Sequence, residues 1–234
     1  MIFVIRSSAE RRASAGGDRR VTGQRQLHFG GHRILSGNYR GRIIEDLKGS
    51  RDLLTDTVAD EGLVAVVGNA TQRVIEALRA GHKILIAGNG GSAADAQHIA
   101  GELVGRFNFD RAPLPALALT TDSSILTAIG NDYGYEQIFA RQVQALGRAG
   151  DVLLCISTSG RSQNILAALQ AARKGGLVTI GLTGGSSRDM DDLCDFLIRV
   201  PSIRTPFIQQ VHITIAHIIC ALTEEAIFGE CKEG

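Results

Sequence analysis

The segment Lys83–Arg106, KILIAGNGGSAADAQHIAGELVGR, joins a short apolar run to a glycine knot and then to a helical pattern. This is the strand–loop–helix grammar of an α/β sheet. Gly88-Asn89-Gly90-Gly91-Ser92-Ala93 also fits the dinucleotide pattern G-x-G-x-x-G/A, which demands an acidic residue about 20 positions further on. The candidate, Asp122 after PALALTT, lies 34 positions past Gly88, so the dinucleotide reading ranks second. If Ala93–Gly105 is helical, His98 and Glu102 share one face about a turn apart. An imidazole beside a carboxylate suits metal binding or proton transfer, although an exposed polar face would read the same way.

The same texture continues outward. Further apolar runs occupy Pro115–Leu119, Asp151–Ser157, Leu177–Leu182 and Phe196–Val200, mostly separated by helical periodicity. The clearest case is SQNILAALQAARKGG, closed by Lys174-Gly175. Strands alternating with helices predict a doubly wound, five-stranded parallel sheet flanked by helices. Near-continuous apolar strands such as VLLCI fit a sheet covered on both faces. Ahead of it, Ile43–Asp60 and Val64–Ala80 read as two N-terminal helices, and Phe207–Phe228 as a closing one. Residues 43–234 are therefore expected to form one domain.

Composition agrees. The 234 residues are 44% hydrophobic with mean hydropathy +0.07, as in a soluble globular protein. No run approaches the roughly 18 uninterrupted apolar residues of a membrane span. Cys155, Cys194, Cys220 and Cys231 lack C-x-x-C spacing and read as reduced thiols. The net charge of +1 conceals an asymmetry: residues 1–42 hold nine arginines against Glu10 and Asp18, so they carry +7 and the rest −6. That segment lacks an apolar core or an amphipathic period. It is read as a disordered basic extension rather than a nucleic-acid contact or transit peptide.

A second loop, LLCISTSGRSQN, leaves a buried strand and meets a helix through Ser157, Thr158, Ser159, Gly160 and Ser162. Helix N-termini offer free N–H groups and a positive dipole end, and the hydroxyls add donors for anionic oxygens. One Ser or Thr suffices for a cap; four hydroxyls in six residues point to a small-molecule phosphate. The loop lacks the lysine of a nucleotide-binding P-loop. His217 interrupts the apolar pattern of ITIAHIICAL. Together with His98, Glu102 and Gln209 it makes a donor set suited to zinc. His212 has a different phase and reads as structural.

AGNGGSAADAQHIAGELVGR, GNDYGYEQIF, GDVLLCISTSGRSQN and IQQVHITIAHII occur in that order, and together they resemble the phosphoheptose isomerases of the sugar-isomerase (SIS) fold family. The resemblance spans about Ile43 to Glu225. It implies a cytoplasmic homotetramer interconverting sedoheptulose 7-phosphate and glycero-manno-heptose 7-phosphate, at the start of nucleotide-activated heptose synthesis. It places substrate contacts on Asn89, Gly90, Gly91, Glu102, Asn131, Asp132 and Gln209, and phosphate contacts on Ser157, Thr158, Ser159 and Ser162. It places zinc on His98, Glu102, Gln209 and His217, and the acid/base pair on Glu102 and His217. Phe207 and Gln210 depart from the Arg-Ile-Gln-Glu common in the family. The competing class is a non-catalytic SIS scaffold for the bacterial replication initiator, or a sugar-phosphate-sensing regulator; neither needs the metal and acid/base residues.

Overall fold

The computed structural model describes residues 39–229. The expected extension over residues 1–42 lies outside them, apart from 39–42, which open the first helix; Cys231 also lies outside. The N-terminal pair is α1 (Tyr39–Ala59) and α2 (Glu61–Arg79). Asp60 between them caps α2, its carboxylate accepting the Leu63 N–H at 2.9 Å. The chain continues through β1 (Ile84–Gly88), α3 (Gly91–Val104), β2 (Ala116–Ala118), α4 (Ser123–Tyr133) and α5 (Ala140–Leu146). Then come β3 (Val152–Ser157), α6 (Gln163–Lys174), β4 (Val178–Thr183), β5 (Phe196–Arg199) and α7 (Thr205–Phe228).

All five strands are parallel, in the order β2-β1-β3-β4-β5. Side chains alternate between two cores. Ile84, Ile86, Val152, Leu154 and Ile156 meet α2, α3 and α7 on one face. Leu85, Ala87, Leu153 and Cys155 meet α5 and α6 on the other. Both faces are dry, which explains why the strands read as unbroken apolar runs. Cys155, Cys194 and Cys220 are free thiols, and burial pushes the Cys155 thiol well above its ordinary pKa.

From β1 the chain moves outward to β2, then returns to the other side of β1 to make β3. The helices leaving β1 and β3, α3 and α6, consequently cover opposite faces. A crevice opens where the strand order reverses, beyond the carboxyl ends of these two strands, and such crevices are where doubly wound sheets take ligands. Both Gly/Ser-rich loops start there. Asp122, the acid considered for a dinucleotide, caps α4 by accepting the Ile125 N–H at 2.9 Å.

Helix α7 is long and apolar enough by composition to cross a membrane. It is a core helix: Val211, Ile215, Ala216 and Ile219 are buried against α2, α3 and the sheet. His212 is buried with them, its Nε2 3.2 Å from the Thr183 carbonyl oxygen. Burial lowers its pKa to about 4, against the opposing pull of that carbonyl, so the ring is neutral at pH 7. By contrast, α1 buries only Leu53 and Thr57 and exposes Ile43, Leu47 and Val58. Phe207 helps hold it, since a Cβ on Gly49 would stand 2.6 Å from its ring. Arg204 stacks 4.0 Å from that ring and donates to Asp46 on α1 at 3.0 Å. Packing accounts for the departure at Phe207; Gln210 is simply exposed.

Candidate functional site

The loop after β1 is tied to α6 by a pair of amides. Asn89 Nδ2 donates to Asn164 Oδ1 at 2.9 Å, and Asn164 Nδ2 returns a bond to Asn89 Oδ1 at 2.8 Å. The Tyr135 hydroxyl adds a third bond to Asn89 Oδ1 at 3.1 Å. Both acceptor sites of the Asn89 side chain are thereby engaged, and of its amide protons one is left. The side chain braces the crevice, leaving the loop backbone to face a ligand. Asn164 and Tyr135 lie inside the quoted motifs GDVLLCISTSGRSQN and GNDYGYEQIF, but the sequence did not single out either as a partner of Asn89.

Across the crevice, Ser162 occupies the N-cap position of α6, but its hydroxyl turns to Ser157 at 3.3 Å instead of capping the helix. The Ser159 hydroxyl accepts the Arg161 N–H at 3.2 Å. Thr158 closes the loop from below, its carbonyl accepting the Gly184 N–H at 3.2 Å. The first-turn N–H groups of α6 are thus not claimed by the cap side chain, the arrangement that favours an anion. Asn131 and Asp132 lie exposed at the end of α4, bonded to each other at 2.7 Å, shortly before Tyr135.

On the other face of the sheet, α3 and α7 pack together and bring the distant donors to one point. His98 Nε2 lies 2.8 Å from His217 Nε2, and Glu102 Oε1 lies 3.2 Å from His98 Nε2. The ligand atoms of all three residues lie within 4.8 Å of one another. At most one proton can sit between the two facing nitrogens, and a cation entering between them would take its place. Two imidazoles and a carboxylate are a donor set that a zinc-like ion takes. Gln209, two turns before His217 on α7, reaches the glycine loop: a Cβ built on Gly91 would stand 2.5 Å from its Nε2. Glycine at 91 is what lets that amide lie against the start of α3. The ring of Phe107 backs His217, with centroids 5.5 Å apart.

A family model described as the SIS domain matches residues 48–184. Phosphoheptose isomerase 2 of Campylobacter jejuni is 59% identical over 177 residues, covering 74% of this chain and 88% of its own. The chain belongs to the phosphoheptose isomerase family. The phosphoheptose isomerase of Aneurinibacillus thermoaerophilus is 60% identical over 171 residues, 73% of this chain and 86% of the relative. Among solved structures, the phosphoheptose isomerase of Neisseria gonorrhoeae superposes with a TM-score of 0.74 at 41% identity, over 79% of this chain and 98% of that one. The family's fold is the one described above, a five-stranded parallel sheet with helices before and around it.

Within that fold the expected site residues fall into three groups. His98, Glu102 and His217 converge directly. Gln209 and Gly91 touch, and Asn89 links the glycine loop to α6. Ser157, Ser159 and Ser162 line the mouth of α6 with their hydroxyls engaged within the loop.

Proposed function

We propose that this protein is the aldose–ketose isomerase that converts sedoheptulose 7-phosphate to D-glycero-D-manno-heptose 7-phosphate. The observation that carries the reading is the meeting of His98 and Glu102 on α3 with His217 on α7, in a family whose members bear that activity in their names. The substrate phosphate sits at the N-terminus of α6 among Ser157, Thr158, Ser159 and Ser162. The sugar runs back over Asn89, Gly90 and Gly91 towards Gln209, with Asn131 and Asp132 at its edge. Its carbonyl end then reaches the His/Glu cluster.

Moving the carbonyl from C2 to C1 takes a proton off C1 and returns one to C2 through an enediol, while a hydroxyl proton passes from O1 to O2. Glu102 is the base at carbon and then the acid that protonates C2. His217 moves the proton between the two oxygens. His98, Glu102, Gln209 and His217 are the residues that would hold a zinc ion, which when bound polarises the sugar carbonyl. With such an ion held, Glu102 would have to loosen that contact, or alternate between the two roles, to act as the base.

The protein is read as a cytoplasmic homotetramer that turns over the first intermediate of nucleotide-activated heptose synthesis. The exposed apolar side chains of α1, and the groove lined by Val58, Val64, Ile218 and Leu222, support a second copy as their cover. The decisive experiment incubates zinc-loaded protein with sedoheptulose 7-phosphate and follows aldose formation. Absence of aldose at every metal loading overturns the reading.

A further inference from the structure

Outside the cluster, Arg111 and Glu224 form an ion pair almost free of solvent, with side chains 2% and 0% exposed and Nε to Oε1 at 2.9 Å. A pair like this adds little net stability, because losing two hydration shells offsets its attraction. What distinguishes it is what its remaining atoms hold. The guanidinium donates to the carbonyls of Glu102 at 2.9 Å, Leu103 at 2.7 Å and Gly105 at 3.2 Å. These belong to the last turn of α3 and the residue that ends it, where carbonyls lack helical partners. The carboxylate accepts the N–H groups of Phe107 at 2.9 Å and Asn108 at 2.6 Å.

Each end of this pair leads back to the cluster. One end grips the backbone of Glu102 itself. The other fixes Phe107, whose ring lies against His217. Glu224 stands on α7 seven residues beyond His217, two turns along the same face. The pair thus fastens the end of α3 to the helix that carries the opposing histidine.

We propose that Arg111 and Glu224 are positioning residues that set the spacing between Glu102 and His217, and with it both metal affinity and turnover. The proposal rests on the metal and acid/base reading of the cluster. A donor set spread over two helices needs a fixed helix–helix distance, because errors of an ångström are costly in ligand and proton-transfer geometry.

The test uses the full chain carrying Glu224→Gln, and separately Phe107→Leu. Zinc affinity is read by competition with a chromophoric chelator, alongside kcat, KM and Tm. Glu224→Gln is expected to weaken zinc binding and lower kcat by roughly 10- to 100-fold, the range seen when groups supporting a metal's ligands are removed. KM is expected to stay within about threefold, since the phosphate loop lies on β3 and α6. A lower Tm with zinc affinity and kcat within about twofold of wild type would overturn the proposal, leaving only a structural pair. Phe107→Leu keeps the ion pair and removes only the ring behind His217. If Glu224→Gln does not fold, Arg111→Lys decides instead, because it keeps the charge but loses the fork that holds the Glu102, Leu103 and Gly105 carbonyls; unchanged zinc affinity and kcat in it overturn the proposal. Wild-type protein that binds no zinc counts against the metal reading, and kcat of the two variants then decides the positioning role.

Discussion

Replacing Gly91 with alanine separates stability from function at a single methyl group. Gly91 is the first residue of α3 and is not among the glycines with positive φ, so the backbone accepts alanine. Alanine suits a helix better than glycine, and the expected change in folding free energy is between zero and about 1 kcal/mol in favour of the variant. The new Cβ would stand 2.5 Å from Gln209 Nε2, whereas non-bonded heavy atoms rest near about 3.5 Å. The tip of Gln209 must therefore retreat by about 1 Å, away from the loop and the place where it would join His98, Glu102 and His217. A misplacement of about 1 Å costs on the order of 100-fold in rate when it falls on a reacting or ligating group. The expected result is a variant with wild-type or slightly raised Tm and a kcat lower by about 10- to 100-fold. Calorimetry and the coupled aldose assay measure the two quantities on the same preparation. A kcat within about twofold of wild type would refute the assignment of Gln209 to the site.

Glu102→Gln is expected to abolish turnover while leaving sugar-phosphate binding largely intact, as titration calorimetry would show; near-wild-type turnover would remove Glu102 from its role as base. His212 has a folded pKa of about 4, below its unfolded value near 6.5, so the unfolded chain binds the extra proton between those values. Its stabilising contribution is present above the unfolded pKa and is lost as pH falls through that window. Wild type should lose about 2 kcal/mol more than His212→Gln between pH 7 and pH 5, by urea unfolding of chelator-treated protein at one concentration; equal losses would refute this. Leu222→Asp, in the apolar groove between α2 and α7, should shift the sedimentation profile to smaller species, and an unchanged profile would place the subunit interface elsewhere.

The strands were legible because both faces of the sheet are buried, which turns each one into an uninterrupted apolar run. The loops were legible because glycine and hydroxyl residues cluster where backbone and ligand come close. His98 and Glu102 were legible as a pair because a four-residue helical step needs no tertiary information. Their meeting with His217 was expected from residue type and the family resemblance and not from spacing, because 119 residues separate the two histidines and only the packing of α7 across α3 joins them. Arg111 and Glu224 were hidden for a related reason. A buried arginine and a buried glutamate look like surface charges until the fold closes over them. Asn89 was expected at the ligand from the resemblance, but its bonds to Asn164 and Tyr135 depend on tertiary packing that the sequence does not display.

Helix α7 follows every strand among the described residues, yet it carries both Gln209 and His217. The SIS match, residues 48–184, ends before either of them. A ribosome therefore delivers all five strands, with the Ser157–Ser162 loop, before any part of the His217 side of the cluster exists. A nascent or prematurely stopped chain lacking α7 would lack Gln209 and His217 and would also leave one face of the sheet without Val211, Ile215, Ala216 and Ile219. On the proposed assignment both the packed core and the His217 side of the cluster arrive with the final helix, so activity in a cell extract would report on the integrity of α7.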